Sequence, residues 1–274
     1  MRINTTAALL VLVLVLALPA SGSFEELEMG IPAMAMGGTG VVLAGLEGSM
    51  WNPASVASIT GASVAISGNM PYSNFDFSTA GIDGGAPISE NWNLAGSARW
   101  FGGELYNEQV IAATIAGRLS RDFSFGLQPV LARVDIKDGV SSYGSSMAFS
   151  VNAGFRVTMY DRWAFAAAVK NPLESRIGNS EEYMHRQMDA GISYEPADGL
   201  VTAFALSRDF RGTRIRVGGA LPLGPLTVYA GAMSGPAVFT GGFSAVVEGV
   251  KASYSVQTHP ELNLSHAIGV TYAF

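Results

Sequence analysis

Residues 33–45, reading Ala-Met-Ala-Met-Gly-Gly-Thr-Gly-Val-Val-Leu-Ala-Gly, form a glycine cluster of the kind whose backbone amides can cradle a phosphate. The surrounding parts of such a loop are missing. No strand precedes the cluster, Gly38 and Gly40 stand one residue apart with no third glycine in place, and no P-loop lysine follows. The physical alternative for Met34, Met36, Gly37, Gly38, Gly40 and Val42 is a tightly turned backbone inside a narrow pore, where small residues fit. Metal chemistry is equally thin. The histidines are His185, His259 and His266, there is no cysteine, and nothing brings ligands together, so turn roles are expected and no metal or other cofactor. Asp and Ser residues are scattered, with neither a nucleophile elbow nor a paired-carboxylate spacing. No catalytic residue is assigned and an enzyme is not expected.

Two sets of residues remain. Trp51-Asn52-Pro53-Ala54 reads as a turn and helix start, with Asn as the cap and Pro in the first turn, or as a direct ligand contact. The second set is a scatter of charges, Arg99, Arg118, Arg156, Lys170, Asp189, Glu195, Arg214 and Arg216, whose meaning depends on the elements that carry them.

Those elements follow from composition and periodicity. The 274 residues include 33 Gly, 49% hydrophobic and only 14% charged residues, too few charges to coat a water-facing globule. Mean hydropathy is +0.28, yet beyond residue 20 no apolar run reaches the roughly 18 residues a membrane helix needs. The one long apolar run is N-terminal. Met1-Arg2, the apolar stretch Ala7 to Leu18 and the small residues from Pro19 to Gly22 read as a secretory signal peptide over residues 1–22. The absence of cysteine excludes a lipoprotein anchor and disulfides. A net charge of −6 without a basic patch argues against a nucleic-acid partner.

From about residue 60 the chain breaks into segments of roughly 9 to 12 residues that alternate with period two between turn residues. Trp92, Leu94, Gly96, Ala98 and Trp100 form one parity and Asn93, Ala95, Ser97 and Arg99 the other. The same split recurs over 147–158, 163–170, 188–195 and 214–221. A soluble sandwich also alternates. Here, however, the polar parity is rich in Gly and Ala with scattered charge, which suits a narrow lumen better than a solvated face. The expectation is an all-β, transmembrane, antiparallel up-and-down barrel of about 14 strands, with 12 as the alternative count, spanning 60–274. Residues 23–59, which do not alternate, form a small N-terminal hatch in its lumen. The inward charges either pair with Asp76, Asp189 or Glu195 or line a polar path. Pro129 and a change of apolar parity after it predict a bulge or kink in the fifth strand. The longest connection, 171–186, falls by this count on the periplasmic side, where turns should be short, and so conflicts with it.

The last residues, with Gly269, Tyr272 and the terminal Phe274, form an amphipathic strand similar to the signal by which the barrel-assembly machinery recognises its clients. Ala267 stands where a polar residue is usual. Upstream, the small-residue, glycine-doubled segment, then Glu47, then Trp51-Asn52-Pro53-Ala54 resembles the N-terminal signature of the FadL-like outer-membrane superfamily, in its PorV/PorQ branch. His259-Pro260-Glu261-Leu262 before the final strand is similar to that branch as well. Ser55-Val56 departs from the Gly-Leu pair common there. The resemblance implies a bacterial outer-membrane barrel with a luminal hatch and two functional expectations. One is a passive conduit for a hydrophobic small molecule, which leaves by a lateral opening into membrane lipid. The other is a non-transporting scaffold for a secreted protein partner. A conduit should show an apolar cavity touching Met34, Met36, Val42 or Trp51, whereas a scaffold should have a hatch packed without one.

Overall fold

The computed structural model describes Phe24 and residues 29–137, 142–179 and 181–274. The expected signal peptide lies outside these residues. Fourteen antiparallel strands close into an up-and-down barrel in which each pairs with its sequence neighbours and the first pairs with the last. They are β1 (Ser63–Met70), β2 (Thr79–Pro87), β3 (Trp92–Gly102), β4 (Tyr106–Arg118), β5 (Phe123–Lys137), β6 (Ser142–Met159) and β7 (Trp163–Lys170). The second half holds β8 (Gln187–Ala197), β9 (Leu200–Asp209), β10 (Gly212–Leu223), β11 (Leu226–Met233), β12 (Val238–Val247), β13 (Val250–Gln257) and β14 (Ser265–Ala273). The strand number is fourteen, not twelve.

Closure leaves no edge, so the wall satisfies its own backbone, the condition for crossing hydrocarbon. Among the described residues no helix is long and apolar enough to cross a membrane; the strands carry the apolar surface. Leu94, Trp100, Ile111, Phe149, Ile215 and Ile268 are exposed on the outside, while Asn93, Ser97, Arg99, Asn152 and Arg216 are buried inside. This inversion, grease outward and ions inward, is the arrangement of a membrane-spanning barrel.

Two expectations are corrected. Pro129 causes no bulge: β5 keeps one register with β6 through Pro129↔Val151, and with β4 on either side of it. The apparent parity change arises because Val130, Ala132 and Val134 are apolar residues on the inner face, buried in an apolar cluster. The register irregularity of this pair lies between Ile136 and Lys137. The 171–186 connection is also not misplaced. It joins an odd strand to the next even one, as the β1–β2 connection does, and so lies at the end opposite the barrel's two termini, hereafter the far end. Turns at the terminal end are tight, as at Glu248-Gly249, where positive φ at both residues matches a two-residue hairpin turn.

The described hatch, from Met29 to Ile59, touches the wall on every side of the lumen. Its helix α1 (Ile31–Ala35) packs against β11 to β14, the turn Gly40–Val42 against β7 to β9, Leu46–Gly48 against β1 and β2, and Pro53–Ser58 against β3 to β6. Wall glycines mark the closest approaches. A Cβ at Gly218 or Gly231 would overlap the backbone of Met36 and Gly37, and one at Gly126 the backbone of Pro53. Gly218→Ala is therefore expected to cost about 1–3 kcal/mol by overpacking and to expose the hatch to protease. Gly96→Ala, with open space around the new methyl, should change stability by no more than about 0.5 kcal/mol. Heat-dependent gel mobility and limited proteolysis in detergent measure both.

Candidate functional site

The described residues of the hatch include one turn of α-helix, so most of their backbone groups lack an α-helical partner and must find others. Inward-facing wall side chains supply them. Arg216 Nη1 donates to Gly38 O (2.9 Å), Arg156 Nε to Val42 O (3.3 Å) and Gln128 Nε2 to Ser49 O (3.1 Å). Asn93 Nδ2 donates to Val56 O and Ile59 O, both at 2.7 Å. Thr240 Oγ1 donates to Ala35 O (2.7 Å) and accepts from Gly37 N (2.9 Å). Lys251 and Thr271 hold Glu47 from the opposite wall.

Every hatch residue singled out from sequence is buried, from Met34 through Ala54. Gly37 and Gly38 have φ of 68° and 75°, the left-handed turn that brings the chain out of α1. Trp51 sits at the centre of the lumen network. Its Nε1 donates to Met29 O (2.9 Å), its ring packs on Gly40, and Arg216 Cζ and Lys170 Nζ lie 5.4 and 5.6 Å from the ring centroid. Asn52, completely buried, caps the Pro53–Ser58 turn by accepting from Ala54 N (3.0 Å). Its Nδ2 donates to Val41 O (3.0 Å) and to Phe155 O on β6 (3.1 Å). Gly154 faces its amide so closely that a Cβ would overlap Oδ1. Asn52 thus ties the hatch both to itself and to the wall.

The charges sort into three groups. Lys170 lies 3.7 Å from Asp189 in the lumen. Arg99 pairs through both carboxylate oxygens with Asp83 (2.8 and 2.9 Å), and Arg214 pairs with Asp209 (2.5 Å); neither acid was singled out from sequence. Arg118 and Glu195 are corrections: both are exposed at the terminal ends of their strands, with Glu195 Oε1 accepting from the turn amide of Gly199. Asp76 is exposed in the β1–β2 connection. Gly269 faces inward against Ile31, while Tyr272 and Phe274 face outward in an edge contact. Ala267 is buried against the hatch beside Ile31, Met34 and Trp51, where a polar side chain would lack a partner. Among the described residues no three His, Cys, Asp or Glu side chains are placed to hold a metal ion. His185 stacks on Phe210, His259 accepts from two turn amides, and His266 Nδ1 pairs with Tyr254 Oη (2.7 Å).

Sequence reasoning missed an apolar column. A cavity of about 620 Å³ opens at the far end, with Phe77, Leu105 and Ile136 on its walls, Phe101 and Tyr106 at one side, and Asp76, Glu104 and Glu182 also in its lining. Phe101 and Tyr106 also pack against the buried cluster of Val110, Val130, Val134, Ile177, Met184 and the hatch residue Met50. Ile177 and Met184 come from the β7–β8 connection, folded inward. Its only sequence signal was the apolar inner face of β5, which had suggested a bulge instead. Beneath these rows Thr114, Gln128 and Asn152 form a hydrogen-bonded layer above Asn52 and Pro53.

No protein-family profile matches the chain, and no curated protein matches it by sequence. Solved structures do match its shape. CymD, a monoaromatic hydrocarbon channel, aligns over 92% of this chain and 99% of its own with a TM-score of 0.74 at 14% identity. The chain shares its fold with that channel. TbuX, a toluene transporter of Ralstonia pickettii, covers 91% of this chain and 99% of its own (TM-score 0.69, 12% identity). A Pseudomonas aeruginosa FadL homologue covers 90% and 98% (TM-score 0.65, 10% identity).

Asn52→Ala orphans Val41 O, Phe155 O and the Ala54 amide, at about 1–3 kcal/mol for each group left buried without a partner. Asn52→Asp keeps the cap but loses both donated bonds, so it should not rescue stability. Removing one member of the buried Arg99–Asp83 pair should cost about 3–5 kcal/mol, and Arg99→Met combined with Asp83→Leu should lose less than Arg99→Met alone. Urea titrations followed by tryptophan fluorescence rank all four variants.

Proposed function

We propose that the protein is a passive conduit for hydrophobic small molecules in the bacterial outer membrane. The observation that carries this reading is the apolar cluster that runs from the far-end cavity down to Met50. An apolar solute entering at Phe77 and Leu105 passes the buried Glu108, whose carboxylate accepts from Tyr106 Oη, before it runs along Val110, Val130 and Val134. The shared fold with hydrocarbon and toluene channels supports the same class of solute. Below Met50 the Thr114–Gln128–Asn152 layer opposes straight axial passage, because a solute would have to break its hydrogen bonds. The wall offers a side route. β6 extends from Ser142 to Met159, but its ladder with β7 begins only at Ala153↔Val169. Above that point the β7–β8 connection closes the seam, through Gly178 N to Met147 O (2.9 Å) and Asn171 N to Asn152 Oδ1 (3.1 Å). Movement of this connection would withdraw Ile177 and Met184 from the column and open the seam to lipid.

A second reading is favoured by one observation. The far-end cavity does not touch Met34, Met36, Val42 or Trp51, and the hatch is bonded to the wall on several sides. A rigid hatch of this kind suits the scaffold of the PorV/PorQ type, which holds a secreted protein and conducts nothing.

Reconstitution in liposomes separates the two. Wild-type protein should admit a fluorescent hydrophobic probe or toluene well above protein-free vesicles, and Val130→Arg, which places a charge in the column, should reduce flux at least about tenfold, as expected for an unpaired charge in an apolar path, while the barrel stays folded by gel mobility. Flux at the protein-free level from folded wild type removes the conduit and leaves the scaffold.

A further inference from the structure

The outer wall holds a second feature, which begins just below the β6–β7 seam. Register across four strands aligns outward-facing residues into rows. One row reads Phe155, Ala167, Ala190 and Leu206, two methyl-sized residues between two bulky ones. The row nearer the terminal end, Val157, Phe165, Ile192 and Phe204, is bulky throughout; the row nearer the far end reads Ala153, Val169, Met188 and Arg208. The result is a trough of about 580 Å³ with an alanine floor, flanked at its far-end opening by Arg208 and Thr213, and the next row toward the terminal end is that of Phe165 and Ile192.

Arg208 is out of place on such a wall. It shares the exposed parity of Phe204 and Leu206, and no hydrogen bond or ion pair holds it among the described residues, whereas Arg211 and Arg214 on the same hairpin both engage Asp209. A guanidinium facing hydrocarbon requires an anion or a route to the interface. Thr213, its register partner on β10, adds a hydroxyl beside it. A trough in a lipid-facing wall does not stay empty, because bare walls forfeit dispersion contacts.

We infer that this trough is a binding site for one phosphate-bearing membrane lipid, with an acyl chain lying over Ala167 and Ala190 and the phosphate accepting hydrogen bonds from Arg208 and Thr213. Arg208 sits at the far end of β9, so the lipid belongs to the leaflet on that side. The charge at one end and the apolar floor at the other match an amphiphile better than the side chains of a second copy of the chain, which would leave Arg208 unmatched. The site does not depend on conduction: a protein that moves no solute would still hold the lipid.

Native mass spectrometry of the full protein, released from nanodiscs containing phosphatidylglycerol or the phosphate-free diacylglycerol, tests the inference. Wild type should retain one phosphatidylglycerol per chain and little diacylglycerol. Arg208→Gln should lower phosphatidylglycerol retention about tenfold, the effect of losing one charge-assisted contact. Ala190→Phe, which fills the trough from the lipid side and leaves the hatch untouched, should abolish retention of both. Equal retention of the two lipids by wild type, unchanged retention in Ala190→Phe, or a dimer that forms in place of lipid and is lost in Ala190→Phe would each overturn the inference. Heat-dependent gel mobility verifies that both variants fold.

Discussion

An irregular backbone buried inside a closed barrel must have its hydrogen bonds supplied by the wall, and the inner face of this barrel is built around that requirement. In water, loose carbonyls of the kind found from Ala35 to Ile59 would be solvated. Here Arg216, Arg156, Gln128, Asn93 and Thr240 answer them from five different strands. Each inward polar residue therefore has two effects: it relieves a hatch carbonyl that would cost about 1–3 kcal/mol if orphaned, and it fixes where in the lumen that carbonyl lies. Wall glycines at 126, 218 and 231 complete the arrangement by letting the two backbones touch, and Gly154 admits the Asn52 amide.

The same requirement explains the asymmetry of the lumen. The hatch's polar attachments leave the upper faces of β4, β5 and β6 without hatch backbone to satisfy. Those rows are free to be apolar, and Val110, Val130 and Val134 occupy them. The column is stopped where the hatch begins, at Thr114, Gln128 and Asn152, because Ser49 O again needs a donor. A polar seal and an apolar path thus meet at one level, which is also the level at which the β6–β7 ladder ends.

Much of this was legible from sequence, for a physical reason: a strand reports its two faces with period two, and a lipid-facing barrel makes the faces chemically opposite. Asn93 and Arg99 fell inward and Trp92 and Trp100 outward from parity alone. What parity does not report is height along the barrel. Arg118 has the inward parity of a lumen residue but stands at the terminal rim, where the hatch no longer reaches. Nor does parity give cross-strand partners: Asp83 meets Arg99 through the β2–β3 register, and Asp209 meets Arg214 across a two-residue turn. Val130 and Val134 misled because an apolar inner face breaks the very contrast on which the reading relied. Asn52 was legible as a cap because that role is local; its bonds to Val41 O and Phe155 O are set by tertiary packing.

Tight attachment of the hatch also decides which part of the lumen can yield. Displacing the hatch would break bonds to at least five strands together, each orphaning a buried group. Displacing the β7–β8 connection would break the bonds from Gly178 N to Met147 O and from Asn171 N to Asn152 Oδ1 along β6 and the packing of Ile177 and Met184, which an apolar solute would replace by its own dispersion contacts. Polar groups released at the seam would lie near the far end, within reach of water. The cheaper motion is therefore sideways and above the hatch, and in the proposed conduit a solute that fills the space left by Ile177 and Met184 would lower the cost of the opening through which it leaves.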